Sequence, residues 1–524
     1  MSLTIGSKAL NWALKHALKY GDTDIFPPAF EFSALESDWS RVTAAIQAVD
    51  LLDWSARPAR RCLAPKHKFG FRISTQLDPL DFLIYTALIY EIGAKLEARR
   101  VPTSQHTVHS YRFAPASDGR MFSDAPSYRT FQTESLKVSR RGAKYVAVAD
   151  IADFFPRLST HRIDNALDGG LGVGHQHGTV LKRLLGQWAG TYSFGVPVGS
   201  AASRLLAEVT IGDIDQALLA EGVEYIRYSD DFRFFCKSES DAYRSLVLVA
   251  RFLWENHGLT LQQHKTRVLS VERFRATYLR ENEKRELDSL SERFLELTQA
   301  LELDSPYEEI DLDSLSREDR ERLQALNLQG ILEVQLKARE PDLSLIKFLL
   351  RRLGQLGNAE STDLVLSQFR RCVPVVREAI QYLMRVSEPD AKRAQVGEQL
   401  LKLYSDPRHP AAHLEYARMY ILHPFAVDRA WNHVARVLKL WNQAVDEFSI
   451  RKLTLALGRS GQDFWFRSRK QALMSLAPWV RRAFIYGASC LPADEYKHWV
   501  RGLQTQLDPP GSSSCPLGCK EADL

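Results

Sequence analysis

Two rhythms of apolar positions divide the chain. Before about residue 275, short β-compatible runs at Tyr145–Ala149, Tyr225–Tyr228 and Phe232–Phe235 alternate with helical stretches. This alternation predicts an α+β domain over residues 1–275. Beyond residue 340 strand signals nearly vanish, and apolar faces at helical spacing recur: Ile346/Leu349/Leu350/Leu353, Val376/Ala379/Ile380/Leu383, Leu414/Ala417/Ile421 and Trp431/Val434/Ala435/Leu438. Repeated amphipathic units bury their faces only by stacking, so residues 341–507 are expected to form an all-α, HEAT-like helical-repeat domain. Near the start, Leu10, Leu14, Ala17 and Leu18 share one face within Lys8–Tyr20, which predicts a docked helix in preference to one lying on a membrane surface.

The two regimes meet in a charged connector, residues 276–340. It combines an amphipathic helix (Leu287, Leu290, Phe294, Leu297) with eight acidic side chains between Glu302 and Asp319. After Asp508 the chain is rich in Pro, Gly and Ser, and residues 508–524 read as a flexible tail. Its Cys515 and Cys519 lack a second pair that would complete a metal site. A length of 524 residues requires more than one core, since single cores stop growing at roughly 250–300 residues.

Composition adds little until it is localised. With 45% hydrophobic and 25% charged residues the chain is an ordinary globular protein, and a net charge of +5 does not by itself announce a nucleic-acid partner. Cations do cluster ahead of residue 150, first at Arg57, Arg60, Arg61, Lys66, Lys68 and Arg72, then at Arg99, Arg100, Arg112, Arg140, Arg141 and Lys144. Six scattered cysteines fit a reducing, cytoplasmic setting. No apolar run approaches the roughly 20 residues of a membrane span, so no membrane partner is expected.

Three segments carry candidate chemistry. In Lys144-Tyr-Val-Ala-Val-Ala-Asp150-Ile151-Ala-Asp153-Phe154-Phe155, an apolar strand ends in a carboxylate. In Tyr225-Ile-Arg-Tyr228-Ser229-Asp230-Asp231-Phe232, two β-rich runs flank Ser-Asp-Asp, which predicts a hairpin with the acids at its tip. Bulky Tyr228 and Phe232 stand where a solvated turn would have small polar residues. Three carboxylates in one cleft repel unless cations neutralise them, and oxygen ligands without His or Cys suit two Mg²⁺ or Mn²⁺ ions. Such a centre would carry out nucleotidyl transfer. Between these segments, Gly195-Val-Pro197-Val198-Gly199-Ser200-Ala-Ala-Ser203 reads as a rigid loop opening a helix. Gly169–Gly174 reads as a plain loop, and His175 and His177, near His161, as solvent-facing.

In this order the segments resemble the reverse transcriptases, joined by a fourth, Gly258–Thr266, which contains Lys265. The resemblance implies a fingers-palm domain with an antiparallel palm sheet. It also implies metal ligation by Asp150, Asp230 and Asp231 with the Ile151 carbonyl, motif support from Tyr228, Ser229, Gly195 and Pro197, and a nucleotide site lined by Asp153, Phe155, Gly199, Ser203, Arg112 and Lys265. Phe155 falls at the steric gate that favours deoxynucleotides. Val198 departs from the glutamine of retroviral and intron enzymes. That departure, Ser203-Arg-Leu-Leu-Ala-Glu208 and Arg482–Trp499 are similar to the bacterial abortive-infection and defence-associated members. For that group the resemblance implies phage defence, homo-oligomers, dNTP substrates, and a DNA product made with an RNA or DNA template or without one, sometimes on a protein hydroxyl. A templated enzyme of retron or intron type, and a helical scaffold with a degenerate polymerase domain, are the alternatives.

Overall fold

The computed structural model describes residues 2–67, 69–279, 327–431 and 433–507. The connector helix around Leu287–Leu297, the acidic run 302–319, and the tail with Cys515 and Cys519 lie outside the described residues. Two compact units emerge: Met1–Arg61 with Ile73–Lys284 and Gln506–Leu524, and Cys62–Arg72 with Arg285–Thr505.

The first unit is organised by a four-stranded antiparallel sheet in the order β4-β5-β3-β6. Its strands are β3 (Tyr145–Asp150), β4 (Tyr225–Tyr228), β5 (Asp231–Cys236) and β6 (Arg267–Ser270). A separate two-stranded ribbon, β1 (Arg60–His67) and β2 (Gly70–Gln76), contains Arg60, Arg61, Lys66 and Arg72 of the first basic cluster. The apolar pattern of the sequence misses β1, β2 and β6, because charged and small residues interrupt it there.

Alternation along β3 and β5 sends Val146, Val148 and Phe235 into a core closed by Phe131, Val138, Leu269 and Phe274. Ala147 and Ala149 point to the opposite face, where the helix Glu239–Phe252 packs against β3 and β5. Small side chains at these two positions permit that close approach. The helix Pro79–Glu97 is apolar around most of its circumference and correspondingly buried. It starts with an Asp78 cap and Pro79 at its first turn.

The N-terminal helix runs over Ser7–Tyr20 and packs on Pro79–Glu97, burying Leu10, Leu14 and Ala17. Leu18, assigned to the same face from spacing, is 38% exposed, while Trp12 and His16 take the buried positions. Two further sequence readings are corrected. The helix Thr160–Leu171 continues through Gly169 and Gly170 instead of breaking into a loop, and a Cβ at Gly170 would meet the Leu96 side chain at 2.8 Å. His177 is not solvent-facing: it lies in the helix Gln176–Ala189 and bonds Glu91 at 2.7 Å, and His175, half-buried, precedes that helix.

From residue 327 onward the described residues form helices and no strand. The expected faces at Ile346–Leu353, Val376–Leu383 and Leu414–Ile421 are buried. The fourth face differs. Trp431 is buried in a short turn before the helix Val434–Gln443, which buries Val437 and Leu440 and leaves Ala435 exposed. Trp431 lies in a turn outside this helix, so it does not share the helix's periodicity.

The helices Glu447–Arg459 and Pro478–Gly487 meet through glycines, with a Cβ at Gly458 falling 2.4 Å from the Gly487 Cα. The Gly458→Ala variant should therefore force the pair apart and lose about 1–3 kcal/mol, read as a lowered melting temperature. An unchanged melting temperature would mean the helices are free to separate at no cost. Among the described residues no helix is long and apolar enough to cross a membrane.

Candidate active site

The site begins with a cross-strand pair. The register of β3 and β5 sets Asp150 directly opposite Asp231. Tyr228 of β4 pairs with Asp231 in turn, so Ser229 and Asp230 alone make the turn between β4 and β5. The Ile151 N–H donates to the Asp230 carbonyl at 3.1 Å, which ties the continuation of β3 to that turn. Two acids of distant sequence, with a third beside them, are thus fixed by backbone hydrogen bonding. Asp230 lies in the turn, whereas Asp231 is already the first residue of β5.

The surroundings show how costly this is. Asp150 is 6% exposed, and Asp230 and Asp231 are half-buried. Burial first, then the charges of Asp230 and Asp150, push the Asp231 carboxyl up to about 7. Two cations answer the negative charge. The Lys265 ammonium bonds Asp150 Oδ2 directly. Burial works to lower its pKa, but the bond to Asp150 and the charges of all three aspartates outweigh that and raise it. On the same face of β5, Arg233 is 5% exposed and stacks 3.9 Å from the Phe131 ring, donating to Gln132 and Ser135. Burial lowers the Arg233 guanidinium to about 10, partly offset by Tyr128 and Asp231.

Among the described residues no group of three or more His, Cys, Asp or Glu side chains is gathered in a geometry that would hold a metal ion. The donor chemistry nevertheless fits a hard cation: oxygen ligands only, mutually repelling, with Lys265 standing in as the positive charge on Asp150. Magnesium commonly takes one or two protein carboxylates and completes its shell with water and substrate phosphate.

Around the acids the loops interlock. Asp153 adopts the left-handed region (φ 47°) before the short helix Phe154–Arg157. The Phe155 carbonyl accepts the Val196 N–H, and the Gly195 N–H donates to the Leu158 carbonyl at 2.7 Å. Gly195 is required by its φ of 98° and by Pro156, whose carbonyl would lie 3.1 Å from a Cβ. Pro197 is buried, and the Val198 carbonyl accepts from Thr75 at the end of β2. Gly199 has φ 119°, and a Cβ there would strike Thr23 Oγ1 at 2.3 Å.

Two residues assigned to the nucleotide from sequence have other occupations. Arg112 is 4% exposed, paired with Glu97 at 2.9 Å and donating to the carbonyls of Val101 and Val108, so its guanidinium is spent inside the fold. Ser203 is 1% exposed and shares a hydrogen bond with the buried Tyr85 hydroxyl at 3.0 Å, which packs its helix onto Pro79–Glu97. In both cases the sequence motif could not disclose the partner, because Glu97 and Tyr85 come from another helix.

Residues 105–295 match the family model described as reverse transcriptase (RNA-dependent DNA polymerase). The chain carries a reverse-transcriptase domain. That domain indicates a nucleotidyltransferase, an RNA-directed DNA polymerase. A comparison with curated protein sequences gives no match. Among solved structures, similarity extends to a partial Cas6-RT-Cas1–Cas2 complex, at 23% identity and a TM-score of 0.27, covering 48% of this chain and 42% of that one. The chain thus spans less than half the length of that relative. Telomerase from Candida albicans with a TWJ fragment of telomeric RNA is similar at 13% identity and a TM-score of 0.31, covering 80% and 71% of the two chains. Apo telomerase from Candida tropicalis is similar at 12% identity and a TM-score of 0.29, with 74% of each chain covered.

In the reverse-transcriptase domain the raised Asp231 carboxyl has a measurable consequence. Its folded value near 7 exceeds the ordinary aspartate value of 3.8, so between those limits the folded chain binds the extra proton and metal-free stability falls as pH rises. The melting temperature of metal-free Asp231→Asn should decline less than that of the wild type between about pH 5 and 8. Parallel curves would place the titration elsewhere.

Proposed function

We propose that the reverse-transcriptase domain synthesises DNA from dNTPs by two-metal nucleotidyl transfer, with Asp150, Asp230 and Asp231 as the metal ligands. The observation that carries this reading is Asp150 standing opposite Asp231 with an ammonium already bonded to it. Divalent ions at such acids activate an attacking hydroxyl and stabilise a leaving pyrophosphate. The chain's own part is to present Asp150 and Asp231 from strands, which hold a constellation more rigidly than loops do, with Asp230 in the turn beside them. Ile151, anchored through its N–H to the Asp230 carbonyl, offers its own carbonyl as a further ligand. Lys265, with 47% of its side chain exposed, can transfer its ammonium from Asp150 to a substrate phosphate. Asp153, Phe155 and Gly199 border the same loops and would line the nucleotide, with Phe155 excluding a ribose 2′-hydroxyl.

Purified protein incubated with labelled dNTPs and Mg²⁺ should incorporate nucleotide, and Asp230→Asn should lose at least about 100-fold in rate, the scale for removing a charge stabiliser from an active site. Incorporation that persists without added template supports untemplated synthesis. Strict dependence on added RNA supports a templated enzyme instead, and no incorporation under any condition leaves a scaffold with a degenerate polymerase domain. The Phe155→Ala variant should accept ribonucleotides about 10–100-fold better relative to deoxynucleotides, since overpacking costs about 1–3 kcal/mol. Unchanged discrimination would remove the gate from Phe155.

A role in phage defence, assembly into homo-oligomers and priming on a protein hydroxyl extend this reading. They are supported by the likeness of the Val198 loop, the Ser203–Glu208 segment and Arg482–Trp499 to defence-associated reverse transcriptases. Mass spectrometry of nuclease-treated protein from cells tests covalent priming, which requires a residual nucleotide on a side chain.

A further inference from the structure

Behind the acids, on the helix-covered face of the sheet, lies a charged cluster that the proposed reaction does not use. Arg227 of β4 and Glu208 have completely buried side chains. Its guanidinium donates to Asp215 through Nε at 2.9 Å and Nη2 at 2.5 Å, and Nη1 lies 3.1 Å from Glu208 Oε2. Glu208 Oε2 also accepts from Arg100 at 2.7 Å, while its Oε1 accepts from the Ser110 hydroxyl at 2.6 Å. Arg100 in turn donates to the carbonyls of Ser110 and Tyr111, both at 2.7 Å. Removing such ions from water is costly and is offset only when their lone pairs and protons are matched; here Arg227 and Arg100 answer Asp215 and Glu208 at bonding distance, and Arg100 also donates to Glu97 at 2.9 Å.

What the cluster grips is the turn residue beside the catalytic acids. The Ser229 N–H donates to Ser110 Oγ at 2.9 Å, and the Ser229 carbonyl accepts from Arg227 Nη1 at 2.8 Å. Both of its peptide groups are therefore clamped from the buried side. Ser229 needs this, because it adopts the left-handed region with φ 55°, which is strained for a non-glycine residue. Its own hydroxyl is buried without a hydrogen-bond partner, so the side chain does not supply the support. The neighbouring segment adds to the clamp: the Arg227 N–H donates to the Thr107 carbonyl at 2.8 Å and the His109 N–H to the Arg227 carbonyl at 2.9 Å. Residues 107–109 thus run along β4 as an additional edge.

We infer that Ser110, Glu208, Arg227, Asp215 and Arg100 are positioning residues that force the turn into its strained form and thereby set Asp230 and Asp231 for divalent metal. This inference rests on the metal-ligand reading of those aspartates. Ser110 is the most informative position, since it joins the buried charges to the turn by one hydroxyl and carries no charge itself.

The test measures Mn²⁺ binding to the full-length protein without nucleotide, by the electron paramagnetic resonance signal of free Mn²⁺, in wild type, Ser110→Ala, Arg227→Lys and Asp230→Asn. Outer hydrogen-bond partners of a metal site change its affinity by about 10–100-fold. Ser110→Ala should therefore raise the Mn²⁺ concentration for half-saturation about tenfold or more while keeping the wild-type far-ultraviolet circular dichroism, and its DNA synthesis should recover at high Mn²⁺. A purely structural hydroxyl would lower the melting temperature without moving the binding curve. Arg227→Lys, which keeps the charge but loses the two-pronged geometry, should shift binding in the same direction. If Asp230→Asn loses Mn²⁺ and folded Ser110→Ala binds like the wild type, the positioning role is overturned and the metal-ligand reading stands. If wild type and Asp230→Asn bind alike, the metal-ligand reading fails and the inference falls with it.

Discussion

Antiparallel pairing between β3 and β5 brings like charges together, and much of the surrounding structure can be understood as the response. Backbone hydrogen bonds that align Val146 with Phe235 and Val148 with Arg233 also leave Asp150 facing Asp231. A strand cannot slip by one residue to relieve this, because the slip would turn every core side chain to the other face. The apolar packing of Val146, Val148 and Phe235 against Phe131 and Phe274 thus holds two carboxylates where they would not otherwise stay.

The electrostatic response is local and graded. Lys265 arrives from the loop before β6 to bond Asp150, and Arg233 lies one alternation deeper, sandwiched on Phe131. Neither neutralises the site, as the Asp231 carboxyl near 7 attests. On the other face of the sheet the order is reversed: Arg227 bonds Asp215 and Glu208, Glu208 bonds Arg100 and Ser110, and Arg227 and Ser110 hold the backbone of Ser229. One face gathers mutually repelling carboxylates. The opposite face uses satisfied charge to fix the backbone that presents them.

A division of labour between fold and site follows. Stability comes from closely packed layers, as in the helix Pro79–Glu97, where the one fully buried charge, Asp81, is bonded to Arg57 and Trp54, and the paired helices that meet at Gly458 and Gly487. Part of the backbone strain lies near the acids, where Tyr111, Asp153 and Ser229 all take positive φ without being glycine. Backbone in such regions persists only where neighbouring contacts over-determine it.

Local pattern was enough to locate β3, β4 and β5, the hairpin joining two of them, the three aspartates and the helical character beyond residue 340, since each is encoded within a few adjacent residues. It was not enough for β1, β2 and β6, whose runs are broken by charge, or for the face of Val434–Gln443, because Trp431 lies in a turn outside that helix. Arg112 and Ser203 resembled ligand-binding residues because the motif carries their identity and not the Glu97 and Tyr85 that occupy them. Arg227 could have been noticed as a charge on an inward strand position, yet nothing near it in sequence names Glu208 or Ser110 as its partners. Residue type and short-range periodicity are properties of the chain, and they determined which groups exist and on which elements. Which of those groups face each other across a sheet, and which are consumed in holding it, was decided only when long-range packing brought distant segments within hydrogen-bonding reach.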